Sequence, residues 1–164
     1  MLVITEQNFI SKRCKVEKIQ KYFNRMYRAS MLDRDLHFQD KGISGCQTSY
    51  IMQVVWRPGL SQEDLSKLLL VNKSTVTRHI SQLEKSGFII RELDPEDKRK
   101  KRLYPSEKAK KIYEEIIDYL DDWNNLLLQD FTEEEAEMIT QALQKISMIA
   151  SESIRNKNSE YKID

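Results

Sequence analysis

The side chains with the most chemistry to offer lie in one stretch, "NKSTVTRHISQLEKSGFIIRELDPEDKRKKR", residues 72–102. Its first half holds short hydroxyl side chains and an arginine, which can hydrogen-bond to the edges of nucleic-acid bases. Its second half ends in five consecutive cations, residues 98–102, which can pair with phosphates. These residue types predict binding of a polyanion rather than bond making or breaking.

Charge is segregated along the chain, although the net charge is only +1. Between Lys73 and Lys111, 12 lysines and arginines stand against 6 aspartates and glutamates. Residues 113–137 hold 10 acidic residues and no basic ones. A segregated basic segment is typical of a protein that meets a polyanion, although charge alone leaves a lysine-rich solvated surface open.

The basic stretch begins with a predicted helix. Asn72 is a suitable N-cap, and Val76, Ile80 and Leu83 share one face at helical spacing. We therefore expect three residues on the opposite face and Thr77 at its edge. The three are Ser74, Arg78 and Ser81. Gly87 then ends the helix in the left-handed conformation that glycine tolerates.

The flanking segments predict a helix before this one and a β-hairpin after it. Ser61 and Asp64 form a capping box at the start of a helix whose apolar stripe is Leu65, Leu68 and Leu69. "FIIREL" and "RLY" read as two strands joined by the basic turn. Two short helices, a tight turn and a charged hairpin describe a winged helix-turn-helix lobe.

Further helices are predicted before and after these elements. Apolar stripes at helical spacing predict two helices before the helix-turn-helix and two after the hairpin. These stripes are Val16, Ile19, Phe23, Met26 and Tyr27; Ile51, Met52 and Val55; Ala109, Ile112, Tyr113, Ile116, Leu120 and Trp123; and Ile139, Leu143, Ile146, Ile149 and Ala150. The predicted fold is mainly α with a small β-hairpin wing.

A winged helix-turn-helix suits duplex DNA, because a helix fits the major groove and its first residues reach the base edges. Cations at the wing tip can reach the adjacent minor groove or backbone. The predicted DNA-binding residues are Lys73, Ser74, Thr75, Thr77, Arg78 and Ser81 on the helix and Arg99, Lys100 and Lys101 in the hairpin. Winged helices also serve as protein–protein adaptors, which is the alternative function.

The same stretch resembles the MarR family of winged-helix regulators, named for multiple antibiotic resistance. The family's leucine-rich helix after a proline–glycine turn is matched by "RPGLSQEDLSKLL". Its recognition helix is matched by "KSTVTR", Lys73 to Arg78, and its wing motif by "DPEDKR", Asp94 to Arg99. Leu83, Glu84 and Gly87 match the residues between them.

The resemblance implies a homodimer with intertwined terminal helices that acts on a pseudo-palindromic operator, more often as a repressor than as an activator. Its recognition helices would enter successive major grooves about 10 base pairs apart. Arg99 would enter the minor groove, and Asp97 would help to hold that arginine. The surplus apolar stripes of the terminal helices suit a buried two-fold interface.

The predicted organisation is a single MarR-type domain over residues 1–164. A dimerisation helix spans residues 1–40, and the DNA-binding lobe spans 43–106. Dimerisation helices span 107–156, and 157–164 form a frayed tail. The chain departs from the family pattern at Pro105, Ser106 and Ala109. We expect Ser106 to cap a helix and Pro105 to loosen the second wing strand, because proline lacks an amide donor.

Many relatives release DNA when a small aromatic compound or an oxidant acts near the junction of lobe and dimer. The candidate ligand-binding residues are Tyr22, Tyr27, His37, Trp56 and Tyr113, although such aromatics are more often plain core. Cys14 lies between Arg13 and Lys15, which would favour its thiolate, but the peroxide-sensing relatives place their cysteine further along the first helix, near Gln20. A redox-responsive regulator using Cys14 remains a further alternative.

Other function classes find little support in the sequence. Cys14, His37, Cys46 and His79 lack a recognised metal-ligand spacing, and Cys46 is expected to be a small buried filler. No glycine-rich phosphate loop or nucleophile motif suggests an enzyme or a cofactor. No apolar stretch is long enough to span a membrane, no secretory signal is recognisable, and two cysteines are too few for a disulfide framework. We expect a cytoplasmic protein.

Overall fold

The computed structural model describes residues 6–161, with side chains described over residues 19–157. Six helices and one hairpin follow in the predicted order. They are α1 (Glu6–Phe38), a 3₁₀ turn (Gln39–Lys41), α2 (Gly45–Trp56), α3 (Gln62–Leu69), α4 (Lys73–Lys85), β1 (Ile89–Leu93), β2 (Lys101–Pro105), α5 (Glu107–Leu128) and α6 (Glu133–Tyr161). The predicted fold class is confirmed.

The predicted capping residues begin their helices. The Ser61 hydroxyl accepts from the Asp64 amide at the start of α3, and the Asp64 carboxylate accepts from the Ser61 amide. Asn72 caps α4 and Ser106 caps α5 through side-chain oxygens that accept from amides three residues on. These bonds satisfy amides that a helix start otherwise leaves without a partner.

The core lies inside the lobe, where α2–α5 meet the hairpin. Its most buried side chains include Ile51, Val54, Leu65, Val76, Ile80, Leu83, Phe88, Leu103 and Ile116. The prediction that Leu68 belongs to the buried stripe of α3 is wrong, because its side chain is 39% exposed. Met52 and Val55 are only partly buried and pack against this core. Three further aromatic residues, Phe38, Tyr50 and Tyr119, are buried although no stripe predicted them.

The two wing strands pair along their full length in an antiparallel register that runs from Ile89–Pro105 to Leu93–Lys101. The expectation that Pro105 loosens β2 is wrong. Pro105 is the last residue of the strand, where the missing amide costs no ladder bond, and the next amide, that of Ser106, donates to Phe88 O at 3.0 Å. The wing is therefore a closed hairpin.

The C-terminal half of α1 crosses α2 at close range. A Cβ added at Gly45 would lie 2.7 Å from the Cβ of Arg34, so only glycine fits the crossing. The Gly45 amide donates to the Asp35 carboxylate at 2.5 Å, which holds the start of α2 against α1. This crossing joins the lobe to the terminal helix.

Elsewhere on α1 and along α6, many apolar residues among those whose side chains are described are uncovered in the protomer. On α1 the exposed side chains are Ile19, Tyr22, Met26, Tyr27, Leu32 and Leu36, and on α6 they include Met138, Leu143, Ile146, Ile149 and Ile154. Several of these occupy the predicted apolar stripes. The stripes are therefore present, but this chain alone does not bury them.

Candidate nucleic-acid interface

Helix α4 presents a polar face outward because its apolar residues are fixed in the core. Ser74, Thr77, Arg78 and Ser81 are exposed, opposite the buried Val76, Ile80 and Leu83. Lys73 is exposed at the helix start, whereas Thr75 is half-buried. The amphipathic pattern thus brings four of the predicted contact residues to one surface.

Three hydroxyls on this face already have partners inside the lobe. Ser74 Oγ donates to Asn72 Oδ1 at 2.8 Å, and Thr77 Oγ1 lies 3.0 Å from Gln62 Oε1 at the start of α3. Ser81 Oγ accepts from Arg91 Nη2 of β1 at 2.8 Å. Arg91 also pairs with Glu84 at 3.3 Å, so it ties the wing to the end of α4. Sequence patterns gave no sign of Arg91 or Gln62.

Arg78 carries a positive charge in the middle of this face. Within the described part of the chain, no carboxylate lies within ion-pair distance of its guanidinium, whose Nη2 is 3.5 Å from His79 Nε2. His79 is half-buried with its ring against Tyr50. Burial, and then the charge of Arg78, lower the pKa of His79 below its usual value, so the imidazole is neutral at pH 7. Arg78 can therefore turn its donors outward.

The wing turn holds a second group of cations. Arg99 is 91% exposed, and its Nε donates to Asp97 Oδ1 at 3.2 Å, while Lys100 Nζ lies 3.6 Å from Asp97 Oδ2. These hydrogen bonds, led by the one from the Arg99 side chain, lower the pKa of Asp97 and keep it ionised. The contact between Asp97 and Arg99 that the resemblance implied is present. Lys101 is exposed at the start of β2.

Comparisons with known proteins agree with this geometry. The family model described as MarR family matches residues 46–101. The HTH-type transcriptional regulator YybA of Bacillus subtilis is 32% identical over 112 residues, which cover 68% of this chain and 75% of that protein. The chain belongs to the MarR family.

Solved structures of family members superpose on this MarR-family chain. The crystal structure of the transcriptional regulator SlyA gives a TM-score of 0.79 at 30% identity, covering 82% of this chain and 95% of that one. A MarR-family regulator from Listeria monocytogenes, solved with 26mer DNA, gives 0.76 at 29% identity, covering 82% and 89%. The chain is therefore a winged-helix transcriptional regulator, and the expectation that it is not an enzyme is confirmed by the family.

The five aromatic candidates for ligand binding do not share one site in the protomer. Trp56 Nε1 donates to the Tyr113 hydroxyl at 2.6 Å, which joins the end of α2 to α5. His37 lies against Tyr119, with ring centroids 4.7 Å apart. Tyr22 and Tyr27 are 60% and 66% exposed on α1. Two surface depressions along α1 include none of the five.

The cysteine and metal expectations have different outcomes. Cys14 lies outside the residues whose side chains are described. Cys46 is half-buried in the first turn of α2 rather than a buried filler, and its Sγ lies 3.2 Å from Ser44 Oγ and 3.9 Å from His79 Nε2. Among the described residues, no group of three potential ligands could hold a metal ion. None of the described helices is long and apolar enough to cross a membrane.

Proposed function

We propose that this protein binds a pseudo-palindromic DNA operator as a homodimer and represses transcription from it in the cytoplasm. The observation that carries this proposal is the exposure of two arginines on neighbouring elements. Arg78 on α4 has no carboxylate partner among the described residues, and Arg99 on the wing pairs only with Asp97 at its surface. An arginine on the outer face of a helix in the major groove can bond a guanine edge in two places, and a wing-tip arginine suits a narrow minor groove. The family member solved with DNA supports it.

The contact residues are assigned to two roles. Arg78 reads bases, with Ser74 and Thr77 allowing close approach in the major groove. Lys73, Thr75 and Ser81 complete the helix contacts, and Arg99, Lys100 and Lys101 contact backbone or minor groove, with Asp97 as support. Because Ser74, Thr77 and Ser81 are also bonded within the lobe, Arg78 has most freedom to discriminate between bases.

The dimer in this proposal uses α1, α5 and α6, the helices before and after the lobe. Uncovered apolar faces on α1 and α6 support it, because a large exposed apolar surface costs free energy until a partner covers it. In the proposed organisation, residues 1–40 and 107–156 form the dimer and residues 43–106 form the lobe. A small aromatic inducer would act where Trp56 and Tyr113 join lobe to α5.

A salt titration tests DNA binding itself. A duplex selected from a random pool is compared with random duplex, and phosphate-driven affinity should fall steeply as salt rises. A winged-helix adaptor would show no duplex affinity even at low salt, and that result would reject the proposal.

Two arginine variants test the assigned roles. Arg78→Ala should weaken binding to the selected duplex by about 1–3 kcal/mol and reduce discrimination against random DNA. Arg99→Ala should weaken binding to the selected duplex and to random DNA by the same factor. Arg57→Ala, which changes an exposed arginine just after α2 outside the assigned contacts and the dimer helices, is the matched control and should leave both affinities unchanged. Wild-type behaviour of both Arg78→Ala and Arg99→Ala would contradict the assigned contacts.

A further inference from the structure

The root of the wing holds an acid that the contacts described above do not use. Asp94 is 3% exposed, at the point where β1 enters the turn. Its Oδ1 accepts from the amides of Glu96 at 2.9 Å and Asp97 at 3.4 Å. Its Oδ2 accepts from Arg102 Nε at 2.6 Å. The Glu96 amide first, and then Arg102, lower the pKa of Asp94, so the buried carboxylate is charged.

Arg102 extends this contact from the wing into the body of the lobe. Its Nη1 donates at 3.2 Å to the carbonyl oxygen of Gly59, in the connection between α2 and α3. The same connection pairs with β2, because the Gly59 amide donates to Leu103 O at 2.8 Å and the Leu103 amide donates to Leu60 O at 2.9 Å. The second wing strand is thus held on both edges.

These bonds form a continuous path from the lobe to the wing tip. Arg102 donates hydrogen bonds to the Gly59 carbonyl oxygen and to the Asp94 carboxylate. The Asp94 carboxylate also accepts from the Asp97 amide. Asp97 in turn holds the side chain of Arg99. The remaining backbone bonds of the turn, Asp94 to Lys100 and Lys100 to Asp97, close it upon itself. Asp94 is the junction between the turn and everything that anchors it.

We propose that Asp94, together with Arg102, is a positioning residue for DNA binding, because it fixes the wing turn in the orientation that presents Arg99 to the duplex. This inference rests on the proposed function. A turn that is already ordered before binding does not pay the entropy of ordering when it meets DNA. Asp94 itself does not contact DNA, because it is buried beneath the turn.

The sign of one charge change separates positioning from simple electrostatics. An acid close to phosphates repels them, so removing its charge should tighten binding by about twofold if position plays no part. Asp94→Asn removes that charge and replaces one acceptor oxygen with an NH2 donor, which must face either Arg102 or the amides of Glu96 and Asp97, so one side of the junction is broken. Positioning therefore predicts that Asp94→Asn binds duplex about tenfold more weakly.

Glu96→Gln is the matched control for this substitution. Glu96 lies in the same turn, is exposed, and uses only its backbone amide in the path. It loses the same charge without breaking a bond to Arg102, so its binding should tighten by about twofold. The two variants should move in opposite directions.

A second variant keeps all charges in place. Arg102→Lys retains the cation but loses the planar fork that reaches Asp94 and Gly59 O together, so binding should weaken several-fold. This variant keeps Asp94 and decides the question if Asp94→Asn does not fold. Helix content and the unfolding temperature of each variant are measured by circular dichroism before binding.

A double-mutant cycle with Arg99→Ala separates positioning from general loss of structure. If Asp94 acts through Arg99, Asp94→Asn should have no more than about a twofold effect in the Arg99→Ala background. An undiminished tenfold effect there would overturn the inference. So would Asp94→Asn binding as tightly as Glu96→Gln. Absence of any duplex binding by the wild type would instead overturn the proposed function, and this inference with it.

Discussion

The winged lobe and the terminal helices carry the same kind of apolar pattern and use it differently. In α4, residues at helical spacing such as Val76 and Ile80 are fully buried by neighbours from the same chain. In α6, residues at the same spacing such as Leu143 and Ile146 stay about two-fifths exposed. Periodicity therefore identifies a face that must be covered, but it does not say whether the cover comes from the same chain.

The difference extends to how each region is held. The lobe is closed by helix caps, a paired hairpin and side-chain ties such as Arg91 to Ser81. No described residue of α6 is buried, although its first turn has a complete capping box between Thr132 and Glu135. Local signals can start a helix, but packing supplies most of its stability. We infer that α6 depends on a second copy of the chain.

The largest expected effect comes from placing a charge in the uncovered face of α6. Ile146→Asp would bury an unpaired carboxylate in the proposed interface, and a two-fold interface would contain it twice. We expect dimer association to weaken by at least about 3 kcal/mol, a rise of roughly 150-fold in the dissociation constant. Analytical ultracentrifugation at micromolar concentrations measures it.

Gln144→Asp is the control, since it adds the same charge to the same helix away from the apolar stripe. It should leave the dimer intact. Equal dissociation constants for the two variants would show that the face is not an interface, and the comparison between lobe and terminal helices would lose its explanation.

The sequence predicted what depends on neighbours along the chain. Caps at Ser61, Asn72 and Ser106 and the stripe of Val76, Ile80 and Leu83 involve spacings of a few residues, and all are present. The outward position of Arg78 followed from that stripe. Leu68 was misplaced because the rest of the lobe covers only part of the apolar stripe of α3, in which Leu65 is the buried residue.

The ties across the fold were not predictable from spacing. Asp94 and Arg102 stand out only once β1 and β2 are in register, and Gly59 lies 43 residues from Arg102. Tyr119 and Asp33 are 86 residues apart. A polar residue in sequence looks solvated until the fold buries it, which is why the wing junction was missed.

An intermediate effect is expected where the two regions meet. The buried Tyr119 hydroxyl on α5 donates to Asp33 Oδ2 on α1 at 2.7 Å. Tyr119→Phe leaves that carboxylate without its donor, so the free energy of unfolding should fall by about 1.5 kcal/mol in urea titrations at pH 7.5. Tyr113→Phe, whose hydroxyl accepts from the exposed Trp56, should cost less than about 0.5 kcal/mol because water replaces the bond.

The same bond gives a pH dependence with a definite sign. Burial first, and then the hydrogen bond to Asp33, raise the pKa of Tyr119 above its usual value. The stabilisation is therefore complete below the unfolded pKa of about 10 and is lost as pH rises through the higher folded value. The stability difference between wild type and Tyr119→Phe should shrink above pH 10. If the stability difference stayed constant above pH 10, the Tyr119 hydroxyl would not be stabilising the contact between α5 and α1.

The smallest effect tests whether the lobe also tolerates local strain. Leu70 ends α3 in the left-handed region with φ 53°, where a side chain costs about 1–2 kcal/mol, and it is 48% exposed. The Val71 amide and the Ser66 hydroxyl lock the turn around it, donating to Ser66 O and Val71 O. Packing of α3 and α4 imposes this conformation.

Leu70→Gly should therefore raise the free energy of unfolding by about 0.5 kcal/mol, since relief of strain exceeds the entropy that glycine adds to the unfolded chain. Leu68→Gly, two residues earlier within the same helix and also exposed, should lower it by about 1 kcal/mol. Urea titrations of both variants compare them directly. Opposite signs would mean that packing in the lobe is strong enough to impose an unfavourable backbone conformation at Leu70. The terminal helices, in contrast, leave apolar side chains uncovered in the protomer. If both variants lost the same free energy of unfolding, the backbone at Leu70 would not be strained. Burial would then be the only difference between the lobe and the terminal helices.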